Sequence, residues 1–99
     1  MRNDIFIAVV RMRIRKERLE RNLTQEVVAE GTSLPLRSYQ RYEAQHDKRP
    51  FSPSLRNMRE VALAIGVDLA ELVTEPTQEE IEALEVDAPP QRVKRSKRR

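Results

Sequence analysis

Cysteine is absent from this sequence, and histidine occurs only once, at position 46. Without cysteine, neither a disulfide framework nor a thiolate metal site can form, and His46 alone cannot hold a metal cluster. Glycine occurs only twice, which leaves no glycine-rich catalytic loop. We therefore expect a chain that is held together by packing and that has neither a metal nor another cofactor.

Long apolar runs are also absent. The longest one covers residues 5–10 and ends at Arg11, which is too short for a membrane span or for the apolar part of a typical signal peptide. At 99 residues, the chain has room for one compact domain and a tail. We expect a soluble, cytoplasmic protein.

Charge is distributed unevenly along the chain, although the net charge is only +3. Residues 1–74 carry 13 basic and 10 acidic residues, residues 75–88 carry six acidic ones alone, and residues 89–99 carry six basic ones alone. The segments thus have charges of +3, −6 and +6. A basic segment indicates a polyanionic partner, because the neutralisation of phosphates releases counterions. We expect residues 89–99 to be disordered in isolation and to act as a non-specific DNA arm or as a solubility device.

Apolar residues recur at helical spacing, which predicts an all-α chain. A first amphipathic helix contains Ile7, Val10 and Ile14. Five basic residues are interleaved with them: Arg11, Arg13, Arg15, Lys16 and Arg18. Thr24 is a suitable N-cap for a short second helix, which residues 31–33 break.

A third helix is predicted from Pro35 to about Ala44, and the spacing of Tyr39 and Tyr42 places both rings in the core. The polar residues 45–53 include two prolines and predict an exposed loop with Phe51 as its anchor.

A fourth helix begins after Ser54, and Gly66 stands where a left-handed C-terminal residue is needed. Two capping-box patterns follow, Asp68 with Glu71 and Thr77 with Glu80. The first predicts a short fifth helix, and the second allows a short sixth one. We therefore expect a compact five-helix domain over residues 4–74, an acidic segment over 75–88 that forms a short helix or a dimer contact, and a basic tail over 89–99.

A short helix, a tight break and a second helix with exposed polar groups form the helix-turn-helix arrangement, whose second helix enters the major groove of DNA. The segments LTQEVVAE (residues 23–30), YQRYE (39–43), PSL (53–55) and ALAIGV (62–67) resemble the Cro/C1-type (XRE-like) helix-turn-helix family. The resemblance covers residues 10–74. It implies a lambda-repressor-like fold, a double-stranded DNA partner and a transcriptional regulator, more often a repressor than an activator.

The resemblance also implies roles for individual residues. Expected base contacts are Leu36, Arg37, Gln40 and Arg41, where an arginine fork suits the O6 and N7 acceptors of guanine. Expected contacts to the DNA backbone are Gln25, Ser38, Lys48 and Arg49, and Gln25 also supports the recognition helix. An internal ion pair is expected between Arg18 and Glu43. Taken outside this motif, the arginines of the third helix would be an ordinary solvated face.

Three turn positions depart from the family pattern: Thr32, Ser33 and Pro35. They predict a reshaped turn that begins at Gly31, with a possible offset of the recognition helix by one residue.

Members of this family usually bind DNA as symmetric dimers. Two apolar sets offer a dimer surface, unless both close over their own domain: residues 5–9, and the set Leu72, Val73, Ile81 and Leu84.

The main alternative is a protein-interaction or antitoxin-like accessory module on the same scaffold. An enzyme has little support, because no trio of nucleophile, base and orienting group can be named.

Overall fold

Six helices make up the computed structural model, which describes residues 3–47 and 49–86. In chain order they are α1 (Asn3–Glu20), α2 (Gln25–Glu30), α3 (Leu36–Arg41), α4 (Leu55–Ile65), α5 (Leu69–Val73) and α6 (Gln78–Val86). Within the described ranges there is no strand, so the predicted all-α fold with its sixth helix is confirmed. None of these helices is both long enough and apolar enough to cross a membrane. The predicted basic tail and Lys48 lie outside the described residues.

Local capping explains where most of the helices begin. The Oγ1 of Thr24 accepts the N–H of Val27 at 3.1 Å at the start of α2. The box at α6 forms in both directions, with the N–H of Glu80 on Thr77 Oγ1 at 3.1 Å and the N–H of Thr77 on Glu80 Oε1 at 3.0 Å. The predicted box at Asp68 is wrong, since its side chain makes no capping bond. The N–H of Glu71 bonds instead to the backbone carbonyl of Asp68 at 3.0 Å.

The third helix ends earlier than predicted, at Arg41 rather than Ala44. The N–H groups of Tyr42, Glu43 and Ala44 each bond to the carbonyl three residues earlier, at 2.7, 3.1 and 3.4 Å. Bonds of this spacing tighten the chain and end an α-helix. The predicted core tyrosines are confirmed, with Tyr39 fully buried and Tyr42 5% exposed.

One core packs helices α1 to α5 together. It consists of Val10, Ile14, Val28, Ala29, Tyr39, Tyr42, Met58, Val61, Ala62, Ile65, Val67 and Leu72. The placement of Leu72 in a dimer surface is therefore wrong, because the contacts of α5 with α1 and α4 bury it completely. Val9, in the other candidate surface, is also fully buried. Of the remaining candidates, Val73 is exposed and Ile81 and Leu84 are half-buried.

Arg13 joins α1 to the chain beyond α5. Its Nη1 donates to the carbonyls of Leu72 and Thr74 at 2.9 and 2.6 Å, and its Nη2 to that of Glu75 at 3.2 Å. Its Nε and Nη2 also donate to the two carboxylate oxygens of Glu80, each at 2.8 Å. These bonds from Arg13 hold the pKa of Glu80 at about 2. The acidic segment therefore docks on α1 of its own chain.

The left-handed residue that ends α4 is Gly66, whose φ is 99°. Gly66→Ala is expected to lower the free energy of unfolding by about 1–2 kcal/mol, because a Cβ disfavours this conformation. Asn22, with φ of 57°, provides the control, since Asn22→Gly should cause no loss. Urea denaturation measures both variants. An unchanged stability of Gly66→Ala would contradict the expectation.

Candidate nucleic-acid interface

The turn between α2 and α3 is held by its own polar side chains. Thr32 Oγ1 donates to the carbonyl of Ala29 at 2.8 Å and accepts the N–H of Leu34 at 3.0 Å. The N–H and Oγ of Ser33 both donate to Glu60 Oε1 on α4, at 2.9 and 2.7 Å. The residues that depart from the family pattern therefore stabilise this turn and attach it to α4.

Close packing against α4 explains the glycine at the start of this turn. A Cβ on Gly31 would lie 3.0 Å from the Cβ of Ala64, which has no flexible end that could move away. Pro35 precedes α3 in an extended conformation and makes no side-chain capping bond. Contacts between the turn and α4 therefore position the N-terminus of α3, which has no capping side chain.

A buried ion pair connects α1 to Glu43, the second residue beyond the end of α3. Arg18 Nε lies 2.6 Å and Nη2 2.9 Å from the carboxylate oxygens of Glu43, and Nη1 donates to the carbonyl of Leu23 at 2.7 Å. Both side chains are nearly inaccessible, at 10% and 2% exposure. The Tyr39 hydroxyl donates to the same carboxylate. The structure thus brings together the two residues that the resemblance implied as an ion pair.

The protonation states follow from this arrangement. Burial alone would raise the pKa of Glu43, but hydrogen bonds from Arg18, Tyr39 and Gln25 outweigh it, and the net shift is downward. Burial and the hydrogen bond to Glu43 raise the pKa of Tyr39 well above its usual value. The network therefore holds an ionised carboxylate beneath α3.

Gln25 extends this hydrogen-bond network from the buried carboxylate to an exposed side chain of α3. Its Nε2 donates to Glu43 Oε1 at 3.1 Å, and its Oε1 accepts from Gln40 Nε2 at 3.2 Å. Because Gln25 is the first residue of α2, this chain of bonds fixes α2 and α3 relative to each other. The Gln40 amide, although exposed, is held in a defined position.

The outer face of α3 borders an open cavity of about 320 Å³. It is lined by Arg37, Ser38, Gln40, Arg41, Ala44, Asp47 and Arg49. Arg37 is exposed and has no hydrogen-bond or ion-pair partner among the described residues. Leu36 is only partly buried and packs against the core.

The loop after α3 gathers two arginines around Asp47. Arg49 donates to this carboxylate from Nε at 2.9 Å and from Nη2 at 2.7 Å, and Arg41 donates from Nε at 3.3 Å. Arg41 Nη2 also donates to the carbonyl of Pro50 at 2.8 Å. The bonds from Arg49 hold the pKa of Asp47 far below its usual range.

Phe51 anchors the same loop, as predicted. Its ring meets Tyr42 edge to face at 4.9 Å between centroids, and the guanidinium of Arg11 stacks 4.0 Å from its centroid. Burial lowers the pKa of Arg11, whose Nη1 reaches the carbonyl of Asp47 at 3.5 Å. Contact with an aromatic face partly compensates a buried guanidinium.

A helix-turn-helix family model matches residues 14–72, which is more than half of the chain. The chain belongs to the Cro/C1-type helix-turn-helix family. This family binds DNA and is not enzymatic. Membership therefore gives the chain a helix-turn-helix fold and DNA as its partner. Comparisons with curated proteins and with solved structures found no match.

In this Cro/C1-type protein, the match begins at Ile14 and ends at Leu72. The first 11 residues of α1 and all of α6 therefore lie outside it. The residues expected at the DNA all lie on α2, α3 or the following loop, apart from Lys48, which is not described. The structure gathers five of them at one cavity: Arg37, Ser38, Gln40 and Arg41 from α3, and Arg49 from the loop.

Sequence reasoning missed three residues of this region: Arg11, Asp47 and Glu60. Arg11 carries a weak signal, since it lies at spacings of three and seven from Ile14 and Arg18 on one helical face. Asp47 carries another, as the acid that is followed by Lys48 and Arg49. Glu60 carries none, because its partner Ser33 is 27 residues away in the sequence.

Proposed function

We propose that this protein is a dimeric transcriptional regulator, a repressor rather than an activator, that reads an inverted repeat in the major groove through α3. The observation that carries the proposal is Arg37. It lies exposed on a helix that the buried Arg18–Glu43 pair and Gln25 support from the inner side, and it has no hydrogen-bond or ion-pair partner among the residues that the structure describes. A free guanidinium on a braced helix is suited to pair with guanine.

We propose the following roles within the site. Arg37 and Gln40 read base edges, and Leu36 contacts a thymine methyl group. Gln25, Ser38, Lys48 and Arg49 contact the DNA backbone of the operator, which positions α3 but reads no sequence directly. Arg41 reaches a base only after its Nε leaves Asp47, to which it is bound in the free protein.

A homodimer would present two copies of α3 to half-sites about 10 to 10.5 base pairs apart, which supplies the base contacts that one small domain lacks. Two dimer surfaces remain in the proposal: the partly exposed residues 5–8 of α1, and Val73 together with Ile81 and Leu84. The inverted repeat in the operator would mirror the two-fold symmetry of such a dimer.

The test is the selection of bound sequences from a random duplex pool at about 150 mM salt, where non-specific phosphate binding is already weakened. The wild-type protein is expected to enrich an inverted repeat. Arg37→Ala with Arg41→Ala should abolish the enrichment, and Arg37→Ala alone should weaken binding by about 1–3 kcal/mol per lost guanine contact.

Arg15→Ala is the matched control, because Arg15 is an exposed arginine of α1 that does not line the cavity at α3. It should leave the selected sequence unchanged. Equal losses for Arg15→Ala and Arg37→Ala would contradict base reading by α3, since both would then act only through net charge.

A second candidate is a protein-interaction or antitoxin-like module. It is favoured by α6, which lies beyond the family match and exposes Glu79 and Glu82 to solvent. If the selection enriches no sequence and binding depends only on residues 89–99, this second candidate replaces the first.

A further inference from the structure

Asp47 forms ion pairs with two of the arginines that line the candidate DNA site. Arg49 contacts it through three donor groups, its backbone N–H at 3.0 Å, its Nε at 2.9 and 3.2 Å from the two carboxylate oxygens, and its Nη2 at 2.7 Å. Arg41 adds a contact from Nε at 3.3 Å. Arg37, on the same cavity, has no such partner within residues 3–47 and 49–86.

A carboxylate and a DNA phosphate offer the same chemistry to arginine, namely paired anionic oxygens that match the guanidinium fork. An arginine bound to one cannot bind the other through the same N–H groups. The Asp47 contacts form within one chain, between residues that the fold already holds close together, with the Asp47 side chain 12% and the Arg49 side chain 70% exposed. A single phosphate on a duplex is screened by its counterion atmosphere.

We propose that Asp47 limits the non-specific DNA affinity of this protein by keeping Arg41 and Arg49 paired with its own carboxylate when the duplex carries no operator. This inference rests on the proposed DNA-binding function and adds a residue that sets its strength. On an operator, the base contacts of Arg37 would hold the duplex in register while the two arginines exchange partners.

The salt dependence of binding provides the readout. Each phosphate that an arginine neutralises adds about 0.9 to the slope of log affinity against log salt concentration. In the wild-type protein the two arginines would add little to this slope on non-operator DNA. Asp47→Asn should release them, which steepens the slope by about 1 to 2 and tightens binding by about tenfold per arginine at ~100 mM salt.

The experiment measures fluorescence anisotropy of a labelled random-sequence duplex at salt concentrations from about 50 to 300 mM, with the full chain. Asp47→Glu keeps the charge and should keep the wild-type slope. Asp68→Asn makes the same change in net charge at an exposed carboxylate that caps no helix, and it should leave the slope nearly unchanged. Adding Arg41→Gln and Arg49→Gln to Asp47→Asn should remove the gain.

A second variant keeps the test decisive even if Asp47→Asn fails to fold. Arg49→Gln alone should leave the wild-type slope unchanged, because Arg49 stays on Asp47; a slope that falls by about 0.9 would overturn the inference. An Asp47→Asn variant that folds but keeps the wild-type slope, or binds more weakly, would overturn it as well. If the wild-type protein binds no duplex at about 50 mM salt, the proposed function itself fails.

Discussion

Glu43→Gln should destabilise the fold by about 3–5 kcal/mol, the cost of leaving one partner of a buried ion pair without the other. Arg18 would stay charged and only 10% exposed, and its Nε and Nη2 would lose their anionic acceptor. The hydroxyl of Tyr39 and the amide of Gln25 bond to the same carboxylate, so the change weakens the contacts of α3 with both α1 and α2.

Urea denaturation at neutral pH measures this loss. Glu17→Gln is the control, since Glu17 of α1 forms a surface pair with Arg21, just beyond the end of that helix, and should contribute less than about 1 kcal/mol. The pKa of Glu43 is lowered in the folded state, so its contribution is complete above the unfolded value of about 4.3 and is lost as the pH falls below it. Glu43→Gln should therefore reduce the loss of stability in acid. Equal effects of the two substitutions would contradict the role of the buried pair.

Arg13→Met should release α6 from α1 while the remaining helices stay folded. The variant removes every bond that Arg13 donates to the carbonyls of residues 72, 74 and 75 and to Glu80, and it leaves those acceptors to water. Hydrogen bonds to a charged group contribute about 1.5–3 kcal/mol. A loss of about 3 kcal/mol corresponds to amide exchange in α6 that is about a hundredfold faster.

Hydrogen exchange resolved by residue separates this local release from global unfolding. Amides of α6 should lose protection, and those of α2 to α4 should keep theirs. Lys16→Met is the matched control, because it removes a basic residue from the same side of α1. Among the described residues, the one ion pair of Lys16 is an exposed one with Glu20. Uniform loss of protection across all helices would show that Arg13 supports the whole core instead. The depressed pKa of Glu80, about 2, implies that wild-type α6 loosens in acid as the pH falls from about 4.5 toward 2.

Local signals were enough to predict most of the fold. The N-cap at Thr24, the left-handed Gly66 and the reciprocal box of Thr77 with Glu80 each depend on residues close in sequence. The burial of Tyr39 and Tyr42 followed from helical spacing. Where a local pattern had a competing backbone bond, as at Asp68, the prediction was wrong.

Contacts between distant parts of the chain could not be predicted in this way. The partners of Arg13 lie 59 to 67 residues away, so helical periodicity cannot show that this arginine points inward. The pair of Arg18 with Glu43, 25 residues apart, was expected only because of the family resemblance. The position of Arg41 on Asp47 depends on how the loop folds back, which no short motif specifies.

The three buried arginines of α1 have a practical meaning for anyone who redesigns the surface charge of this protein. Arg11, Arg13 and Arg18 are 5%, 8% and 8% exposed, and each fastens a different part of the chain. Lysine cannot reproduce their forked geometry. A scheme that lowers the isoelectric point can safely begin at Arg15 and Lys16, which face solvent on the same helix.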